Sequence, residues 1–80
     1  MKTVEEVLNS VLRRIVSKPD EINIERNENI LEIFANQEDY GVIIGKNGKN
    51  IRSLKNLINL KTYRDGLPRF ELRLHSDGSQ

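Results

Sequence analysis

The chain has 80 residues, a net charge of +1, no cysteine and a single histidine, His75. That length fits one small domain with a modest core, near the lower limit for folding alone. The absence of cysteine excludes disulfides and thiolate metal sites and suits a reducing cytosol, while a lone histidine leaves no cluster with metal-ligand spacing.

Residues 3–17 carry the clearest helical signal. Val4, Val7, Leu8, Val11, Leu12, Ile15 and Val16 recur at the spacing of a single helix face. Thr3 and Glu6 have capping-box spacing. Glu5 and Glu6 suit the positive end of the helix dipole, and Arg13, Arg14 and Lys18 the negative end. Pro19 is expected to stop the helix. Glu21 to Glu25 then alternates with period two, Asn27-Glu28-Asn29 has turn chemistry, and Ile30 to Ala35 reads as a second strand. Leu31, Ile33 and Ala35 share one face of it. Ile30 and Phe34 share the other, which marks either a strand covered on both sides or a patch that meets a partner.

Residues 37–44 read as a short helix. Glu38 and Asp39 occupy its first turn, and Tyr40, Ile43 and Ile44 supply apolar contacts. Gly45 is placed to end it. Lys49 to Leu60 forms a further amphipathic helix, with Ile51, Leu54, Leu57 and Ile58 as the expected buried stripe. Asp65-Gly66 and Pro68 mark the next loop. Residues 69–75 alternate again, Phe70, Leu72 and Leu74 inward and Arg69, Glu71 and Arg73 outward, and residues 76–80 are expected to be a disordered tail. The order α-β-β-α-α-β fits a two-layer α+β domain over residues 1–75, a three-stranded sheet with the helices on one face. The apolar runs are too short and too broken by charge to span a membrane, and the N-terminus lacks the apolar core of a signal peptide.

The near-zero net charge conceals a split. Residues 1–40 hold five basic and nine acidic side chains, whereas residues 41–74 hold eight basic and two acidic ones. Such a division favours one face meeting a polyanion, although charge alone also fits a merely solvated surface. At its centre lies Gly45-Lys46-Asn47-Gly48, between an apolar run and a basic helix. A loop with glycine at both ends lets another backbone approach closely. The start of the next helix offers N–H groups and a positive dipole end to a phosphate. Lys46 and Lys49 add positive charge, and Asn47 tolerates left-handed backbone.

Residues 42–51, "VIIGKNGKNI", resemble the signature of the K-homology (KH) domain, an apolar pair followed by Gly-x-x-Gly-x-x-Ile. The element order resembles the type II KH topology. The chain from about residue 3 to 75 is similar to the small stand-alone bacterial KH proteins of the KhpA (YlqC) type. One departure is Gln37, where such proteins often carry proline. The resemblance implies a non-enzymatic, cytoplasmic protein that binds single-stranded RNA as a small RNA chaperone or regulator. KH domains clamp about four nucleotides against the GxxG loop. Carried over, Gly45, Lys46, Asn47 and Gly48 match the clamp. Val42, Ile43 and Ile44 precede it, with Ile44 as the candidate groove floor. Ile51 is core with an edge toward the groove, and Lys49, Arg52 and Lys55 form a basic row one helical turn apart. The resemblance also implies a homodimer, or a heterodimer with a larger KH-containing protein, and no cofactor or small-molecule substrate.

An enzymatic reading finds little support. Neither a Ser/His/Asp nor a Cys/His set is available, and Glu38 and Asp39 explain themselves as helix-start residues. The loop lacks the longer spacing and the Lys-Ser/Thr ending of a P-loop. The alternative is a dimerising scaffold in which RNA contact is secondary, with Ile30 and Phe34, and the apolar residues around the GxxG loop, as candidate surfaces. The basic row beside an intact GxxG loop favours RNA binding, since a pure scaffold needs neither.

Overall fold

The computed structural model describes residues 2–76. Helix α1 spans Val4–Ile15 and begins in a complete capping box. Thr3 N–H donates to Glu6 Oε1 at 2.9 Å, and Glu6 N–H donates to Thr3 Oγ1 at 3.2 Å. The helix ends before Pro19. Val16 is already extended, its N–H closing the last turn on the Leu12 carbonyl. Pro19 instead opens a 3₁₀ turn, Pro19–Glu21, where its missing N–H costs nothing.

That turn takes Glu21 out of the hairpin, so strand β1 runs Asn23–Asn27 and pairs antiparallel with β2, Ile30–Ala35. Ile24 faces Ile33, and Asn27 closes the ladder against Ile30. The positive φ of the connecting turn falls on Glu28, at 57°, rather than on either flanking asparagine. Arg26 steadies it, donating from Nε to the Glu28 carbonyl at 3.1 Å. Burial along β2 alternates strictly. Leu31, Ile33 and Ala35 are fully buried, while Ile30, Glu32 and Phe34 are half-buried on the opposite face. There Phe34 stacks on His75, with ring centroids 4.9 Å apart.

Strand β3, Glu71–Ser76, lies parallel to β2, with Leu72 beside Leu31 and Leu74 beside Ile33. The sheet order is β1-β2-β3. A parallel neighbour demands a crossover. Helices α2 (Tyr40–Ile44) and α3 (Lys49–Arg64) supply it. Val4, Leu8 and Leu12 of α1, Ile43 of α2, and Leu54 and Ile58 of α3 join the inward residues of the sheet and Phe70 in one core. This α-β-β-α-α-β arrangement of helices on a three-stranded sheet is the type II KH fold.

Helix α3 is one turn longer than its apolar pattern suggests. Its end is a Schellman motif around Gly66. Leu67 N–H reaches the Thr62 carbonyl at 2.8 Å and Gly66 N–H reaches the Tyr63 carbonyl at 3.3 Å. The buried stripe is Leu54, Ile58 and Thr62, a strict four-residue repeat. Leu57 lies off that line and is 41% exposed, contrary to its expected burial. Asn59 ties the helix to the approach of β3. Its Oδ1 accepts from Phe70 N–H at 2.8 Å and its Nδ2 donates to the Phe70 carbonyl at 3.2 Å, as a neighbouring strand would. Ser76 pairs with Ala35 at the end of β3 and so belongs to the sheet rather than to the expected tail. Residues 77–80 lie outside the described residues.

Candidate nucleic-acid interface

The segment that carries the GxxG loop is fixed at its start by two polar side chains. Asn36 Oδ1 accepts from Glu38 N–H at 2.8 Å and caps a 3₁₀ turn, Gln37–Asp39, that leads into α2. The cap explains why glutamine at 37 still permits a helical start: the asparagine before it does the work of nucleation. Asp39 is buried and reaches back to the end of α1. Its Oδ1 accepts from both the amide and the hydroxyl of Ser17 at 2.8 Å, and its Oδ2 accepts from Lys18 N–H at 3.1 Å. The Ser17 amide holds this carboxyl below its ordinary pKa. Burial opposes that effect, while the Ser17 hydroxyl, the Lys18 amide and the Lys18 charge reinforce it.

Helix α2 buries Ile43 completely and leaves its neighbours outside, Val42 40% exposed and Ile44 38% exposed. Of the three apolar residues before the loop, Ile43 therefore anchors the helix in the core, and only Val42 and Ile44 present surface. Ile51 is half-buried against the core, in keeping with a core residue that shows an edge.

The loop itself is tightly wound. Gly45 has φ 77° and ψ 169°, Asn47 φ 57° and ψ 26°, and Gly48 φ 76° and ψ 17°. Three of its four residues thus occupy backbone conformations that L side chains disfavour, and Gly45 lies where glycine alone is at ease. Gly45 N–H donates to the Gly41 carbonyl at 2.8 Å, ending α2, and Gly48 N–H donates to the Gly45 carbonyl at 3.1 Å. Helix α3 begins at once, with no side chain capping its first turn.

Lys46, Lys49, Arg52 and Lys55 are exposed along the loop and the first two turns of α3. Among the described residues none of them pairs with a carboxylate. Arg52 has a structural bond as well, donating from Nη2 to the Asn47 carbonyl at 3.0 Å. Its remaining N–H groups stay available. The result is a backbone-lined loop with free cations beside it and two exposed apolar side chains before it.

A family model described as "KhpA/KhpB, KH domain" matches residues 5–74. The chain belongs to the KhpA/KhpB KH-domain family. Among its relatives, the RNA-binding protein KhpA of Thermotoga maritima is 40% identical over 60 residues, which cover 70% of this chain and 80% of the relative. The proteins of the same name from Streptomyces coelicolor and Streptomyces lividans are each 30% identical over 59 residues, covering 69% of this chain and 75% of the relative. The KH family is non-enzymatic.

Within this KH domain, two residues at the site escaped the sequence reading. Asp39 reads as an ordinary helix-start acid, since nothing near it in sequence announces a partner 22 residues away. Asn50 reads as an unremarked helix position. In the structure it bridges the loop, its Nδ2 donating to the Val42 carbonyl at 2.7 Å. The available signal is an amide side chain two residues past the second glycine, where it stands in the first turn of α3.

Proposed function

We propose that this KH domain binds single-stranded RNA through the GxxG loop, serving in the cytoplasm as a small RNA chaperone or regulator. The observation that carries this reading is the loop: strained, bare at both ends, and continuous with cations that no carboxylate pairs with among the described residues. The shared name of the relatives, RNA-binding protein, supports it.

The backbone of Gly45, Lys46, Asn47 and Gly48 meets the phosphates, and the open start of α3 adds N–H groups and a favourable dipole. Lys46, Lys49, Arg52 and Lys55 supply the salt-dependent attraction. Val42 and Ile44 form the apolar floor on which bases rest, Ile51 offers an edge, and Ile43 holds the floor in place from the core. A single clamp of about four nucleotides binds weakly. No helix among the described residues is long and apolar enough to cross a membrane.

The test is an amide chemical-shift titration with a random-sequence single-stranded RNA. Shifts centred on Val42 to Arg52 are expected in the parent protein. The double substitution Lys46→Asp with Asn47→Asp is expected to remove them while leaving the dispersion of the folded spectrum intact. Equal RNA affinity of parent and double variant rejects the clamp.

A second reading, a dimerising scaffold, draws on a different observation. Leu57, Leu60 and Tyr63 are 41%, 54% and 83% exposed in one run along α3. This ridge leaves more apolar surface open than the half-buried Ile30 and Phe34 do. A homodimer, or a heterodimer with a larger KH-containing protein, joined there carries two clamps, which raises avidity without any new RNA contact.

A further inference from the structure

The conformation of the loop is held by groups outside it, and the chief of these is Asn50. Helix α2 ends with carbonyls that lack helical partners. Gly45 N–H takes the Gly41 carbonyl, and the Asn50 side chain takes the next one, at Val42. The 2.7 Å bond therefore links the last turn of α2 to the first turn of α3 across the base of the GxxG loop. Asn50 also fills the space against the bare Cα of Gly45. A Cβ built there falls 2.7 Å from both Asn50 Cγ and the Asn50 backbone nitrogen, and 2.9 Å from Asn50 Cβ. On the far side of the loop, Arg52 fixes the Asn47 carbonyl at 3.0 Å. The four loop residues are thus tied at both ends and in the middle, with only one backbone bond, Gly48 to Gly45, of their own.

We propose that Asn50 is a positioning residue for RNA binding: a clasp that keeps the GxxG backbone in its binding geometry before RNA arrives. The proposal rests on the clamp reading given above. Its physical content is pre-organisation. A loop already held in strained conformations loses little freedom on binding, whereas a released loop must be ordered at the expense of affinity. Asn50 is neutral, and one of its two side-chain N–H groups is engaged by the Val42 carbonyl. Its removal therefore weakens binding without releasing fewer counterions, which separates it from Lys49 or Arg52, whose loss lowers the salt slope by about one.

The experiment compares the parent chain, N50A, and the double variant with aspartate at 46 and 47. Each is titrated with a random-sequence single-stranded RNA across a salt series, and amide hydrogen exchange is followed in the free proteins. N50A is expected to bind roughly ten-fold more weakly, the scale of one lost ordering contact. Its salt slope stays at the parent value, and exchange speeds up at Gly45 to Lys49 while Leu54 and Ile58 keep their protection. If N50A does not fold, N50S gives the same comparison, since its hydroxyl is too short to reach Val42. Parent-like affinity in N50A, with binding lost in the aspartate variant, overturns the clasp and leaves the clamp standing. Weakened binding in N50A with parent-like exchange at Gly45 to Lys49 in the free protein makes Asn50 a direct RNA contact and overturns it too. Acceleration of exchange at Leu54 and Ile58 equal to that in the loop reduces it to general stability. Parent-like affinity in the aspartate variant removes the clamp, and the clasp with it.

Discussion

At the scale of single residues, the two glycines of the loop share a motif but not a constraint. At Gly48 a side chain has room, the nearest atoms to a built Cβ being Arg52 Nη2 at 3.8 Å and Ile51 Cγ2 at 3.9 Å. Only the positive φ opposes substitution, so Gly48→Ala is expected to cost about 1 kcal/mol. At Gly45 the φ penalty is joined by a collision with the Asn50 backbone nitrogen at 2.7 Å, which no rotamer change relieves. Gly45→Ala is expected to cost clearly more than Gly48→Ala in urea unfolding, and equal losses contradict the geometry. The sequence revealed both glycines, because Gly-x-x-Gly between an apolar run and a basic helix is a local pattern. It did not reveal their inequality, which depends on Asn50 folding back over the loop. Nor did it separate Ile43 from Val42 and Ile44. Three successive apolar residues look alike until the helix axis decides which one faces the sheet.

Between elements, the decisive contacts join residues far apart in the chain. Asp39 binds the α2 entry to the end of α1 through Ser17 and Lys18. Its carboxyl titrates below the ordinary range, so the folded state binds the proton less readily than the unfolded chain does. The stabilisation is complete above the unfolded value of about 4. It is lost as pH falls from there through the lowered folded value. Asp39→Asn keeps the shape and removes the charge. Thermal unfolding should show the parent above D39N at neutral pH and the two converging as pH falls through the lowered folded value. A gap that persists unchanged into acid removes the carboxylate from the account. Element types were largely legible, since α1, the hairpin and β3 each carry a clear hydrophobic period. Their ends were less so. Val16 continues the apolar stripe of α1, yet the chain turns there so that Ser17 and Lys18 can meet Asp39. Helix α3 outruns its stripe because Thr62, a polar residue, takes a buried position, and Gly66 rather than Leu60 sets the end.

For the molecule as a whole, the charge division read from the sequence places six cations of the second half on the loop and α3, and the other two, Arg69 and Arg73, just before β3 and on it. The fold class was legible because element order and patterning leave few ways to cover one sheet face. The open surface was not, since Leu57 matches the buried period about as well as Leu54 does. If the exposed ridge of α3 joins two copies, sedimentation velocity should show a concentration-dependent dimer in the parent protein. Leu60→Glu should shift it to monomer while altering monomer stability by only about 0.5 kcal/mol. A parent that sediments as monomer at every concentration rejects homodimerisation through that ridge. The loop bears on the lifetime of the molecule as well. Asn47 followed by Gly48 is an asparaginyl-glycyl pair, in which the glycine nitrogen can attack the side-chain carboxamide, expel ammonia and leave a carboxylate after hydrolysis. Here that nitrogen is engaged by the Gly45 carbonyl and the pair is wound into a left-handed turn. The winding on which the proposed clamp depends therefore also slows the loop's chemical ageing, and a copy whose loop has worked loose acquires, with time and without mutation, a negative charge where the proposal places the polyanion.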